Sequence, residues 1–151
     1  MHTPKEYFEK IVQENYKQFE KTGDLRSSIN FAMTAFHLHE WVYHFHKGNP
    51  EKTFRTKDEK DYAAILCKQY PNFKWIREIT LLYKHCERRS NDSIIPDNSK
   101  VIYKDRMKCT DRINVRLGGV QRLAIEGWPP FDDIFFGVMH MWYKLFEEFD
   151  L

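Results

Sequence analysis

Between Phe73 and Arg89 the residues Trp75, Ile79, Leu82, Tyr83 and Cys86 recur at the spacing that gathers apolar side chains on one face of an α-helix. The opposite side of that helix carries Arg77, Lys84 and Arg88 in a line at i, i+7 and i+11. His85 and Arg89 fall roughly 80–120° to one side of this line at about 100° per residue. A chain that commits its middle to a one-faced helix must supply other elements to cover the apolar face. The basic line is then either a solvated outer surface or a place where an anion is held.

The flanking segments predict more helices. Thr3-Pro4-Lys5-Glu6 is a capping box with proline in the first turn, and Phe8, Ile11, Val12 and Phe19 follow as a narrow stripe closed by Gly23. This is the pattern of a peripheral helix. Asp24 caps a second helix to about His46, stopped by Gly48-Asn49-Pro50. Its apolar arc is broad: Ile29, Ala32, Ala35, Phe36, Val42 and Tyr43, widened by Phe31, Leu38 and Phe45. Arg26, Asn30, His37, Glu40, Trp41 and His44 form the remaining stripe, with His39 and His46 towards the apolar side. Thr56-Lys57-Asp58-Glu59 predicts a capping box for a third helix to about Gln69, with Pro71 breaking the chain and Asn72 capping the helix from Phe73.

Ser90–Ser99 has the composition of a loop, and after it the period changes to two. Val101–Tyr103, Ile113–Leu117 and Val120–Ile125 predict strands, with Gly118-Gly119 as a hairpin turn adjusted by a bulge or a slightly longer loop. Beyond Trp128-Pro129-Pro130, Asp132 caps a last helix striped with Ile134, Val138, Met141, Trp142, Leu145, Phe146 and Phe149. The expected fold is mostly α: one domain over residues 1–151, about five helices in a bundle, and a small antiparallel β insertion at about 100–126 before the last helix.

Charge and cysteine usage narrow the classes. A net charge of +2 is too small to imply nucleic-acid binding by itself, yet Lys100–Arg122 holds seven Lys/Arg against two Asp, and Glu126–Leu151 six acidic residues against one Lys. Cys67, Cys86 and Cys109 are widely spaced with no CxxC, so reduced thiols in a cytoplasm are expected rather than a disulfide framework or zinc site. MHTPKEYFEK is too polar to open a signal peptide, and no apolar run approaches the ~18 residues of a membrane span.

Three kinds of chemistry have the residues they need or lack them. His37, Glu40 and His44 at i, i+3 and i+7, joined by His85 or His140, are a conceivable ligand set for zinc or iron. Neither HExxH nor paired Glu-x-x-His motifs occur, however, so no metal and no other cofactor is expected. Nucleophilic catalysis lacks GxSxG and any activated cysteine, and no glycine pattern cradles a phosphate. An arginine and a histidine facing one groove, by contrast, can hold a phosphate and move a proton, which suffices to cleave RNA through its own 2′-hydroxyl.

HLHEWVYH (His37–His44), followed by YPNFKWIREITLLYKH (Tyr70–His85), resembles a group of uncharacterised prokaryotic helical proteins. Their segments are His-Leu-x-Asp-Trp-Val, Cys-Pro-x-Leu and Arg-Asp-Ile-x-x-x-x-Lys-His. The matching positions are His37, Leu38, Glu40, Trp41, Val42, Pro71, Arg77, Glu78, Ile79, Lys84 and His85, and the likeness runs from about Ser27 onward. That group is similar to the HEPN superfamily, small bundles of toxin–antitoxin and phage-defence systems, many of them RNases with an Arg…His motif at a dimer interface.

The resemblance implies an RNA-interacting homodimer, a metal-independent endoribonuclease activity, and a cognate antitoxin or other partner protein. Arg77 would bind phosphate and His85 act as acid/base, supported by Lys84, Glu40, His37 and His44, with Arg88 and Arg89 on nucleic acid. Seven residues separate Arg77 from His85, so either Lys84 or His85 faces Arg77. A non-catalytic helical interaction module and a metal-binding bundle are the alternatives.

Overall fold

The computed structural model describes residues 3–84, 107–110, 122–125 and 127–151. Three contiguous segments open the chain: α1 (Pro4–Tyr7), a π-helical stretch (Phe8–Val12) and α2 (Gln13–Thr22). They are followed by α3 (Leu25–His46), α4 (Glu59–Gln69), α5 (Pro71–Lys84), the strands β1 (Met107–Thr110) and β2 (Arg122–Ile125), and α6 (Phe131–Phe149). With the opening rod counted once, five helices are described, and the protein is mostly helical.

Local chemistry sets several boundaries where the sequence places them. Thr3 Oγ1 accepts the Glu6 N–H at 3.1 Å and caps α1. Gly23 turns left-handed at φ 60° and its N–H closes on the Phe19 carbonyl at 2.7 Å, ending α2. Asp24 Oδ1 then accepts the Ser27 N–H at 2.7 Å and starts α3.

Three expected caps are corrected. The third helix begins at Glu59 and is capped by Asp58, whose Oδ1 accepts from the Asp61 N–H at 2.8 Å, while Thr56 lies two residues before the cap and its hydroxyl donates to the Thr53 carbonyl at 2.6 Å. Pro71 opens α5 instead of breaking the chain before it, which moves Asn72 inside the helix. A proline at the first helical position loses nothing, since that N–H has no helical partner and its φ is already set. α6 starts directly after Pro130, which stands at its N-cap, so Asp132 and Asp133 lie in the first turn, where their charge suits the helix dipole.

Helix α3 is the centre of the bundle. Ala32 and Ala35 are fully buried, and their small side chains let two helices approach the α3 backbone. The Thr80 hydroxyl of α5 shares its one hydrogen between the Ile76 carbonyl of its own helix at 2.9 Å and the Ala32 carbonyl at 3.2 Å, and Trp142 Nε1–H of α6 donates to the Ala35 carbonyl at 3.0 Å. Around these ties pack Phe31 and Phe135, with ring centroids 4.6 Å apart, Phe19 on Phe135 at 4.7 Å, and Phe73 edge-on to Trp142 at 5.9 Å. The opening rod joins them as a peripheral layer through Phe8, stacked on Phe146 at 4.9 Å.

Phe45 departs from its expected place. The spacing adds it to the apolar arc of α3, but it is 55% exposed, because it lies one turn after Trp41 on the polar-stripe side while Val42 and the Nε2 of His46 are buried on the other. On α5 the fully buried apolar residues are Phe73, Ile76 and Ile79, while Trp75 lies at the edge, against Trp128.

β1 and β2 pair antiparallel, with Met107 opposite Ile125 and Thr110 opposite Arg122. β2 falls within the strand expected at 120–125. The strands expected at 101–103 and 113–117, the Gly118-Gly119 turn and the 90–99 loop lie outside the described residues. Among the described residues, no helix is long and apolar enough to cross a membrane.

Candidate functional site

The polar stripe of α3 is a physical cluster. His37 and Glu40, one turn apart, meet through Nδ1 and Oε1 at 2.8 Å, with 25% and 42% of their side chains exposed. When Nδ1 carries the hydrogen, the carboxylate fixes the ring and leaves Nε2 to accept a proton. One turn further on, His44 Nε2 meets Glu59 Oε2 of α4 at 2.6 Å. Trp41, between them, stacks on Tyr7 with centroids 4.9 Å apart and planes at 20°. Burial, and secondarily the Glu40 charge, push the Tyr7 hydroxyl above its ordinary pKa. Tyr7 ends α1 directly before the π-helical stretch, a rare widened turn.

Helices α3, α4 and α5 enclose a groove of about 700 Å³. Glu40 and Glu59 line it, as do three cations, Lys60 from α4 and Lys74 and Arg77 from α5. The Thr80–Ala32 tie sets α5 beside α3, so Glu40 and Arg77 share this groove although they are far apart in the chain. Arg77 is 31% exposed, and its guanidinium donates to Glu78 Oε1 at 3.1 Å. Glu78 itself is only 1% exposed, so the arginine is anchored from the interior side.

Two further groups line the groove. His39 is buried, Nδ1 on the Phe36 carbonyl at 2.5 Å, and burial lowers its pKa so that it stays neutral. Burial likewise raises the Cys67 thiol, against the opposing pull of Arg77, and keeps it protonated.

Of the expected site residues, Glu40 and Arg77 come together on the groove, and His37 joins them through Glu40. His44 is held by Glu59 beside them. Lys84 is the last residue of α5. His85, Arg88 and Arg89 lie outside the described residues. His140 is on the exposed side of α6, and among the described residues no group of three or more His, Cys, Asp or Glu is placed to hold a metal.

Family models, curated proteins and solved structures yield no match to this chain.

Sequence reasoning passed over Lys60, Lys74, Glu59, Tyr7 and the burial of Glu78. Glu78 left a signal: it lies between Ile76 and Ile79, at the flank of the buried face. The others are ordinary residue types in their own helices, and only the packing of α1, α4 and α5 against α3 gives them a shared place.

Proposed function

We propose that this protein is a HEPN-like RNA-contacting domain that cleaves RNA without a metal ion, acting as a homodimer in the cytoplasm of a toxin or defence system. The observation that carries this reading is the His37–Glu40 hydrogen bond beside a groove bearing Lys60, Lys74 and Arg77. The cations suit a phosphodiester, with Arg77 as the phosphate clamp and Lys84, Arg88 and Arg89 proposed as further phosphate contacts from their charge. An imidazole oriented by a carboxylate suits proton transfer. His37 and His85 are the two imidazoles of the reaction. One takes the 2′-hydroxyl proton as O2′ bonds to phosphorus and the P–O5′ bond breaks. The other protonates O5′, leaving a 2′,3′-cyclic phosphate and a 5′-hydroxyl.

The test is incubation with total RNA in chelator, wild type beside His85→Ala. Fragments ending in cyclic phosphate from wild type alone support the reading. Intact RNA and no RNA binding by wild type would remove it. The second reading, a non-catalytic interaction module, is favoured by the exposed aromatics Phe136 and Tyr143 on α6, 65% and 51% exposed. In that case a partner protein, such as a cognate antitoxin, covers them.

A further inference from the structure

Glu40 borders a second, smaller cleft of about 390 Å³, whose other walls are Trp41, His44 and Phe45. Its walls are unusually well fixed for a surface depression. Trp41 is backed on one side by the Tyr7 ring, and His44 is tied to Glu59. Phe45 is 55% exposed and follows Trp41 by one helical turn. Two aromatic walls and a carboxylate at the rim are the features that hold a flat heterocycle bearing N–H donors.

We infer that this cleft is a nucleobase subsite selecting guanine in single-stranded RNA, with the backbone phosphate directed to the cationic groove across Glu40. The inference rests on the RNA-contacting reading above. A carboxylate only accepts hydrogen bonds, and with about four lone-pair positions it can keep His37 and still take two more donors. Guanine offers N1–H and N2–H side by side on its Watson–Crick edge, matching the two oxygens. Adenine and cytosine offer one exocyclic amino group next to a ring acceptor. Uracil flanks its single N–H with two carbonyls, which a carboxylate repels. Glu40 lines both clefts, so a base held against Phe45 and Trp41 shares that carboxylate with the groove lined by Lys74 and Arg77, towards which its phosphate would run.

The test is fluorescence anisotropy with 2′-O-methyluridine octamers carrying one 2′-O-methylguanosine, one 2′-O-methyladenosine or neither, which lack the attacking hydroxyl and stay intact, at fixed salt. Wild type should bind the guanosine oligomer about tenfold more tightly than the others, as a bidentate contact would give. Phe45→Ala should weaken that oligomer by about tenfold through lost stacking, with thermal unfolding unchanged because the ring is outside the core. Glu40→Gln should bring all three affinities within about twofold of one another, since the second acceptor is gone. Equal binding of all three oligomers by wild type, or no effect of Phe45→Ala, overturns the subsite and leaves the RNA reading standing. No binding of any oligomer by wild type overturns the RNA reading itself, and the subsite with it.

Discussion

Asn72 of α5 lies against the backbone of Gly137 in α6 so closely that no side chain fits between them. A β-carbon at Gly137 would stand 3.1 Å from the Asn72 Cβ and nearer still to its amide group. This contact sets how closely α5 meets α6, while the Trp142–Ala35 hydrogen bond holds α6 on α3. Gly137→Ala is therefore expected to destabilise the fold by about 1–3 kcal/mol, as overpacking does. Asn72→Ala in the same chain should restore part of that loss. Urea unfolding of the two single variants and the double variant checks the coupling.

Trp142 predicts a second effect. Trp142→Phe removes the Nε1–H donor to Ala35 and part of a fully buried ring. A loss of about 2–4 kcal/mol is expected from the missing bond and the void together. Guanidinium unfolding measures it.

The pH dependence of stability follows from His39. Its folded pKa lies below the ordinary 6.5, chiefly because burial penalises the charged ring. Below that value the unfolded chain binds a proton that the folded chain does not. The stabilisation is therefore complete above about pH 6.5 and is lost as pH falls towards the folded pKa. His46 adds a contribution of the same sign, from burial first and Lys52 second. His39→Gln, which retains a donor for the Phe36 carbonyl, should flatten the fall in unfolding free energy between about pH 7 and 5. Chemical unfolding at a series of pH values reads the slope.

Cys67 gives a probe of the groove. With serine at positions 86 and 109, its thiol should react with iodoacetamide more slowly than free cysteine at pH 8. The reason is that burial raises its pKa above that of an ordinary thiol and leaves little thiolate. The rate should keep rising as the pH passes 9. A rate equal to that of free cysteine would contradict the burial.

Much of the frame was legible because it is local. Thr3, Gly23 and Asp24 act on backbone groups within four residues, so their sequence neighbours suffice to place them. Thr56, Asn72 and Asp132 are equally good caps on paper. They lose to Asp58, Pro71 and Pro130 through how the chain enters each helix, which depends on the preceding turn. Helical spacing also identifies an apolar face without giving its width. Phe45 is outside the cover of the neighbouring helices, and Glu78 is beneath it. At the candidate site, spacing alone puts His37 next to Glu40, one turn away. The groove is a tertiary product: Lys60, Lys74 and Arg77 face Glu40 only once α4 and α5 have docked on α3.

The central claim is that the His37–Glu40 pair moves a proton beside a phosphate held by Arg77. Its most direct measurement is the single-turnover cleavage rate of a short single-stranded RNA in chelator, wild type beside His37→Ala. His37 touches the core only partly, so thermal unfolding should stay within a few degrees while the rate falls by about 10²-fold or more, the usual contribution of a general acid–base group. An unchanged rate in His37→Ala, or a wild type that leaves the RNA intact, would contradict the account.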